Sequence, residues 1–165
     1  MKYMQNGGFS GHPLMRLTLL WSLALLTGLW ATNAFMFLSR MGLSPASIER
    51  YYLGSQEDFS TPRSAAAMLE TTHAHLPVMA MVVLMLTHLM IFAPLSERSK
   101  RRLISLSFGS VLLGEGSGWL VRFVHPGFSW LKLACFLLFQ ACLALLIAGL
   151  AAFLLSGKID GRGQR

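Results

Sequence analysis

Residues 128–155 read FSWLKLACFLLFQACLALLIAGLAAFLL, an apolar run whose one charged residue, Lys132, lies near its start. About 20 apolar residues span a bilayer as a helix, and this run exceeds that. Working outward, further blocks stand at Leu103–Val124, His73–Phe92 (extending to about residue 95) and Leu14–Leu38. In hydrocarbon every backbone polar group must be bonded within the chain, so runs of this length predict helices. Composition agrees: of 165 residues, 54% are hydrophobic and only 13% charged, where a soluble domain carries about 25% charge. The predicted fold is all-α integral membrane, a single domain folded as a four-transmembrane-helix bundle. Its expected spans are about 14–38, 73–95, 103–124 and 128–155, with an outer connection over 39–72.

The first block is longer than the ~7–15 apolar residues of a secretory signal. The small residues of ATNA (Ala31–Ala34) lie inside the run rather than after it. It is expected to be a retained span.

The formal net charge of +7 is sorted by position. Lys2 and Arg16 open the chain, Arg98, Lys100, Arg101 and Arg102 fill the connection between spans two and three, and Lys158, Arg162 and Arg165 close it. The other connections mix Arg40, Arg50, Arg63 and Lys132 with Glu49, Glu57, Asp58 and Glu70. Four crossings put the first set on one side, which the positive-inside rule makes cytoplasmic. Both termini are therefore expected inside a bacterial inner membrane, with 39–72 on the periplasmic side. The basic excess is topology, and no nucleic-acid partner is expected. Cys135 and Cys142, about 10 Å apart along one helix, are beyond disulfide reach and read as packing residues.

Within the outer connection, Ser44-Pro45 followed by ASIERYYL predicts a short interfacial helix with Tyr51 and Tyr52 at headgroup level. Thr61-Pro62 is a second helix start, so the second span can begin early and project from the membrane. Pro77 is expected to kink it. Pro94 ends it, and HPGFSW (His125–Trp130) is a tight outer turn. The glycine-rich start, MKYMQNGGFSGHP, reads as an irregular arm or interfacial anchor.

Ionisable residues inside a membrane are costly and usually mark function. Here they are His73, His75, His88, Glu115, Arg122 and His125. The topology predicts His73, His75 and His125 at one depth near the outer face. Neutral imidazoles facing each other across a helix pair suit axial ligation of haem iron, or a copper or zinc ion. His75 and His125 are the candidate metal ligands, with His73 an alternative to His75. Arg122 either snorkels outward or pairs with a haem propionate. His88 and Glu115 are expected deeper, as a buried pair serving a quinone or a proton path. The plain alternatives are imidazoles sitting wet at the helix ends and a His88–Glu115 hydrogen bond that only joins helices. Met79, Met81, Met85 and Met90 could ligate a metal but also suit adaptable packing.

The length, the four spans and the histidines at outer helix ends resemble the small four-helix bacterial membrane-anchor b-type cytochromes, b561-like proteins and respiratory-complex anchor subunits. The two-haem pattern of paired histidines on separate helices is mostly missing. The resemblance implies a membrane electron-transfer subunit with one haem b near the periplasmic face, in contact with quinone. Its partners would be the lipid bilayer and other membrane subunits or a periplasmic redox protein. Two other readings stay open: a cofactor-free structural subunit of a larger membrane complex, and a copper or other metal-ion carrier. No nucleophile–base pair or phosphate loop is visible, so a stand-alone enzyme is not expected.

Overall fold

The structure, a computed structural model, describes residues 13–156. The amino-terminal arm with His12, and the charges at Lys2, Lys158, Arg162 and Arg165, lie outside the described residues. The regular elements are helical: α1 (Pro13–Met41), α2 (Pro45–Leu53), α3 (Ala65–Met90), α4 (Glu97–Phe123) and α5 (Ser129–Ser156), with a single 3₁₀ turn at Pro126–Phe128. Four of them, all but α2, are long and apolar enough to cross a membrane. Successive crossings leave α2 at one end of the bundle and the basic residues Arg98–Arg102 at the other.

Local chemistry sets the breaks. Ser44 caps α2 by accepting a bond from the Ser47 amide at 3.1 Å, and Pro45 fits the first helical position, where no N–H is needed. α2 stops at Gly54, whose φ of 78° only glycine adopts without strain. A side chain there would also strike the backbone of residues 60–62. Ser64 and Ser96 cap α3 and α4 in the same manner, each oxygen accepting at 3.2 Å.

α3 differs from the expected second span. It begins eight residues earlier and stops at Met90 rather than running to 95, and it continues unbroken through Pro77. That shift decides where its histidines lie.

α5 is the most enclosed of the long helices and α1 the least. The closest pairing is α4 with α5. Ser107, Ser110, Ser117 and Gly118 are buried on α4, and small residues let two backbones approach, the way helices associate where lipid is as apolar as the interface. Their hydroxyls bond back to the helix, Ser107 to Leu103 O at 2.7 Å and Ser117 to Gly114 O at 2.8 Å, so no polar atom of theirs is stranded in the span.

Two apolar clusters stack along the bundle. The larger joins Leu23, Val83, Leu86, Met90, Leu146 and Leu150 in the half toward the basic end. The smaller joins Phe37, Ile48, Tyr52, Met68, Val121 and Leu133 beneath α2. Between them α1 and α3 both lean on α5 but scarcely touch each other. That gap opens the cavity described next.

Candidate functional site

The cavity holds about 440 Å³ and lies between α1, α3, α4 and α5 under α2. Its α2 end is polar, with Arg40, Tyr51, Tyr52, Arg63, Thr72 and Trp119 in the wall, joined by His75, Glu115 and Lys132. Toward the bundle centre the wall becomes Leu29, Val78, Met79, Val111 and Phe139. Phe37 and Phe136 stack at 3.6 Å to close the α1–α5 side.

Three rungs set the register of α3 and its leading loop on α4. Trp119 Nε1 donates to Thr72 Oγ1 at 3.0 Å, His75 Nδ1 meets Glu115 Oε1 at 3.1 Å, and Arg122 Nε donates to the Arg63 carbonyl at 2.9 Å. Glu115 is the more enclosed partner, its side chain 19% exposed against 43% for His75. With Glu115 ionised, the carboxylate can only accept, so Nδ1 carries the proton and Nε2 is left for a ligand. A histidine backed this way by a carboxylate is held in one tautomer and one orientation. Lys132 Nζ donates to the carbonyl of Gly114 at 2.7 Å, setting a cation beside the residue preceding Glu115.

α2 forms the roof. Ile48 is fully buried, and buried Ser129 on α5 donates to Glu49 at 2.8 Å. Tyr52 lies on Gly118, where an added Cβ would come within 2.6 Å of the phenol oxygen. Burial pushes the Tyr52 phenol above its ordinary range, nearby Tyr51 and Glu115 push the same way, and Arg63 opposes them. Arg63 stacks 4.5 Å from the Tyr51 ring centroid and donates to its hydroxyl.

The register corrects the expected depths. His75 is level with Glu115, ten residues before His125 and so roughly 15 Å below it. His125 is exposed in the turn, where its Nδ1 accepts from the Gly127 amide at 3.0 Å. The two do not line a common cavity. His73 is exposed and outside the lining, and Arg122 holds the loop before α3 rather than facing the cavity.

His88 is not Glu115's partner. Because α3 ends at Met90, His88 stands in its last turn, exposed, with its ring edge against Phe92 at 5.8 Å. Met79 lines the cavity while Met81 faces away from the bundle. Among the described residues no group of three His, Cys, Asp or Glu side chains comes together as a metal cage.

The sequence reading missed Lys132, Arg63, Arg40 and Tyr52 as site residues. Lys132 carried a usable signal, since it falls inside the span 128–155 rather than in the connection to which its charge was assigned.

These features define a multi-pass, four-helix membrane bundle with a polar-roofed cavity in one half. The chain belongs to the Aq_1264_TM family, a transmembrane helical domain whose model matches residues 42–160 and so covers α2 through α5. No curated protein and no solved structure matches it.

Proposed function

We propose that this chain is a membrane electron-transfer subunit whose cavity binds the head of a quinone. The observation that carries the reading is the His75–Glu115 pair standing in the cavity wall. A quinone head is flat, apolar on its faces and polar only at two oxygens. Phe37, Phe136 and Trp119 offer it aromatic surface, and His75 Nε2 can accept a hydrogen bond from a hydroxyl of the reduced, quinol form. Orienting the chain by its basic residues puts the cavity in the periplasmic half of a bacterial inner membrane.

Oxidation of a quinol releases two protons and two electrons. His75 accepts a proton from the hydroxyl it bonds, and the Glu115 carboxylate stabilises the imidazolium that results. Both protons leave toward the α2 end, and the electrons pass one at a time to a redox protein docked on that face. A haem b in the cavity would instead be held by His75 Nε2, with Arg40 and Arg63 available to its propionates; bound there, it would supply one-electron chemistry. Among the described residues one histidine lines the wall, so the quinone reading uses more of the groups present.

The test is to extract detergent-purified protein with solvent and quantify quinone, recording a reduced-minus-oxidised visible spectrum on the same sample. Quinone in the wild type, lost from His75→Ala and Glu115→Ala, is the expected result. A b-type spectrum that disappears with His75→Ala would put haem there in its place. Neither quinone nor spectrum would overturn electron transfer and leave a structural subunit.

A further inference from the structure

We infer that the cavity is entered sideways, from the bilayer, through the gap between α1 and α3, and that the gap is shaped for the hydrocarbon tail of an isoprenoid quinone. The inference rests on the proposed quinone reading for the head; the portal has its own evidence.

The first observation is packing. α1 rests on α5 and α2, α3 rests on α4 and α5, and α1 and α3 scarcely meet. The second is which lining residues reach the outside. Met36 on α1 is 51% exposed and Val78 on α3 is 49% exposed, yet both line the cavity. They are the lips of the opening. These two lips are apolar and belong to membrane-length helices, and the exposed polar lining residues Thr32, Arg40 and Thr71 share the opening with them.

The third observation is that the water-facing end is covered. α2 is seated by Ile48 and by the Ser129–Glu49 bond. The loop after it is tied down twice, by the Arg63 amide donating to Tyr52 O at 3.0 Å and by Arg122 on the Arg63 carbonyl. The side route is the open one.

The fourth is the shape of the gap. α3 presents Ala67, Thr71, Ala74 and Val78 along one stripe, all small, and α1 presents Asn33, Met36 and Arg40 at the same helical spacing. Polarity falls along this stripe from Arg40 and Thr71 to Val78 and Leu29. A ligand held there has its polar head at His75 and Glu115 and its tail running between the helices into lipid. A water-soluble molecule has no use for that arrangement.

The experiment uses the full chain in nanodiscs with two probes sharing one dimethoxy-methyl-benzoquinone head, one without a tail and one with a ten-carbon tail. Binding is read by equilibrium retention of each probe, with protein-free nanodiscs subtracted. Met36→Trp and Val78→Trp fill the portal; Leu84→Trp, at an exposed position outside the lining, controls for an added indole and for folding. The expected result is about tenfold weaker binding of the tailed probe in both portal variants. The tail-less probe and the control should be unchanged. Equal binding of the tailed probe in wild type and portal variants overturns the lateral portal and leaves the proposed function standing. Failure of both probes in the wild type overturns the proposed function itself. Retention of a phospholipid in the gap that neither probe displaces, seen by native mass spectrometry, would assign the portal to lipid and overturn the quinone tail.

Discussion

His75 Nδ1 stands 3.1 Å from Glu115 Oε1, joining α3 to α4 inside the cavity wall. Each residue supplies what the other needs in a span: the carboxylate gains a donor and the imidazole a fixed tautomer. In a membrane such a bond contributes about 1–2 kcal/mol or somewhat less. Single replacement of either residue by Ala is expected to lower the unfolding temperature in detergent. The double variant should lose clearly less than the sum, and strict additivity in that cycle would show that the two groups do not interact.

Gly118 is the floor on which Tyr52 lies. With Gly118→Ala, the new methyl would sit 2.6 Å from the Tyr52 oxygen and 2.9 Å from its Cζ. Overpacking of this kind costs about 1–3 kcal/mol. Tyr52→Ala placed in the same chain should recover part of that loss, because it removes the clashing ring. Unfolding in detergent measures both, and an unperturbed Gly118→Ala would mean that α2 shifts freely on α4.

Tyr52 also predicts a pH dependence. Its phenol is raised in the folded protein, chiefly by burial. Above the ordinary tyrosine range near 10, the unfolded chain has released this proton and the folded chain still holds it. Stability from this group is therefore complete below that range and is lost progressively as pH rises above it toward the raised folded-state value. Tyr52→Phe should flatten the alkaline limb of the stability curve. An alkaline limb unchanged in the variant would remove Tyr52 as its cause.

His125 separates two assignments of the histidines. Its Nδ1 serves the Gly127 amide at the α4–α5 turn. His125→Ala should cost about 1 kcal/mol, as the loss of a cap does, and leave any ligand retention intact, whereas on the proposed reading His75→Ala is expected to abolish it. If His125→Ala removed a bound chromophore as completely as His75→Ala, the two would share a ligand after all.

Gly54 tests how firmly the roof is held. A residue other than glycine is strained at φ 78° and would press on the backbone of residues 60–62. Gly54→Ala is expected to loosen α2 before the long helices unfold. Proteolysis between residues 54 and 64 should accelerate while the helical content by circular dichroism stays constant. An unchanged cleavage rate would mean that α2 does not depend on this turn.

The fold was readable because bilayer physics leaves an apolar run few choices. Blocks such as 128–155 must satisfy their own backbone, so length and composition yielded four helices, and Ser44-Pro45 announced α2. The site was readable only in part. His75 and Glu115 stood out as ionisable groups in apolar surroundings, but their pairing did not. Glu115 was matched to His88 on depths counted from an assumed span boundary. The early start of α3, hinted at by Thr61-Pro62, slides its histidines along α4 and leaves His88 at the helix end.

The sequence by itself determined that the chain carries four helices fit to span a membrane and that ionisable residues stand within the apolar runs of α3 and α4. Tertiary structure alone decided that His75 meets Glu115, that Lys132 turns inward onto Gly114, and that α1 stands away from α3. The physical reason is that lipid and protein interior are equally apolar, so no hydrophobic stripe records which face of a helix meets which neighbour. Register is decided where small side chains let helices close, as along Ser107, Ser110 and Ser117.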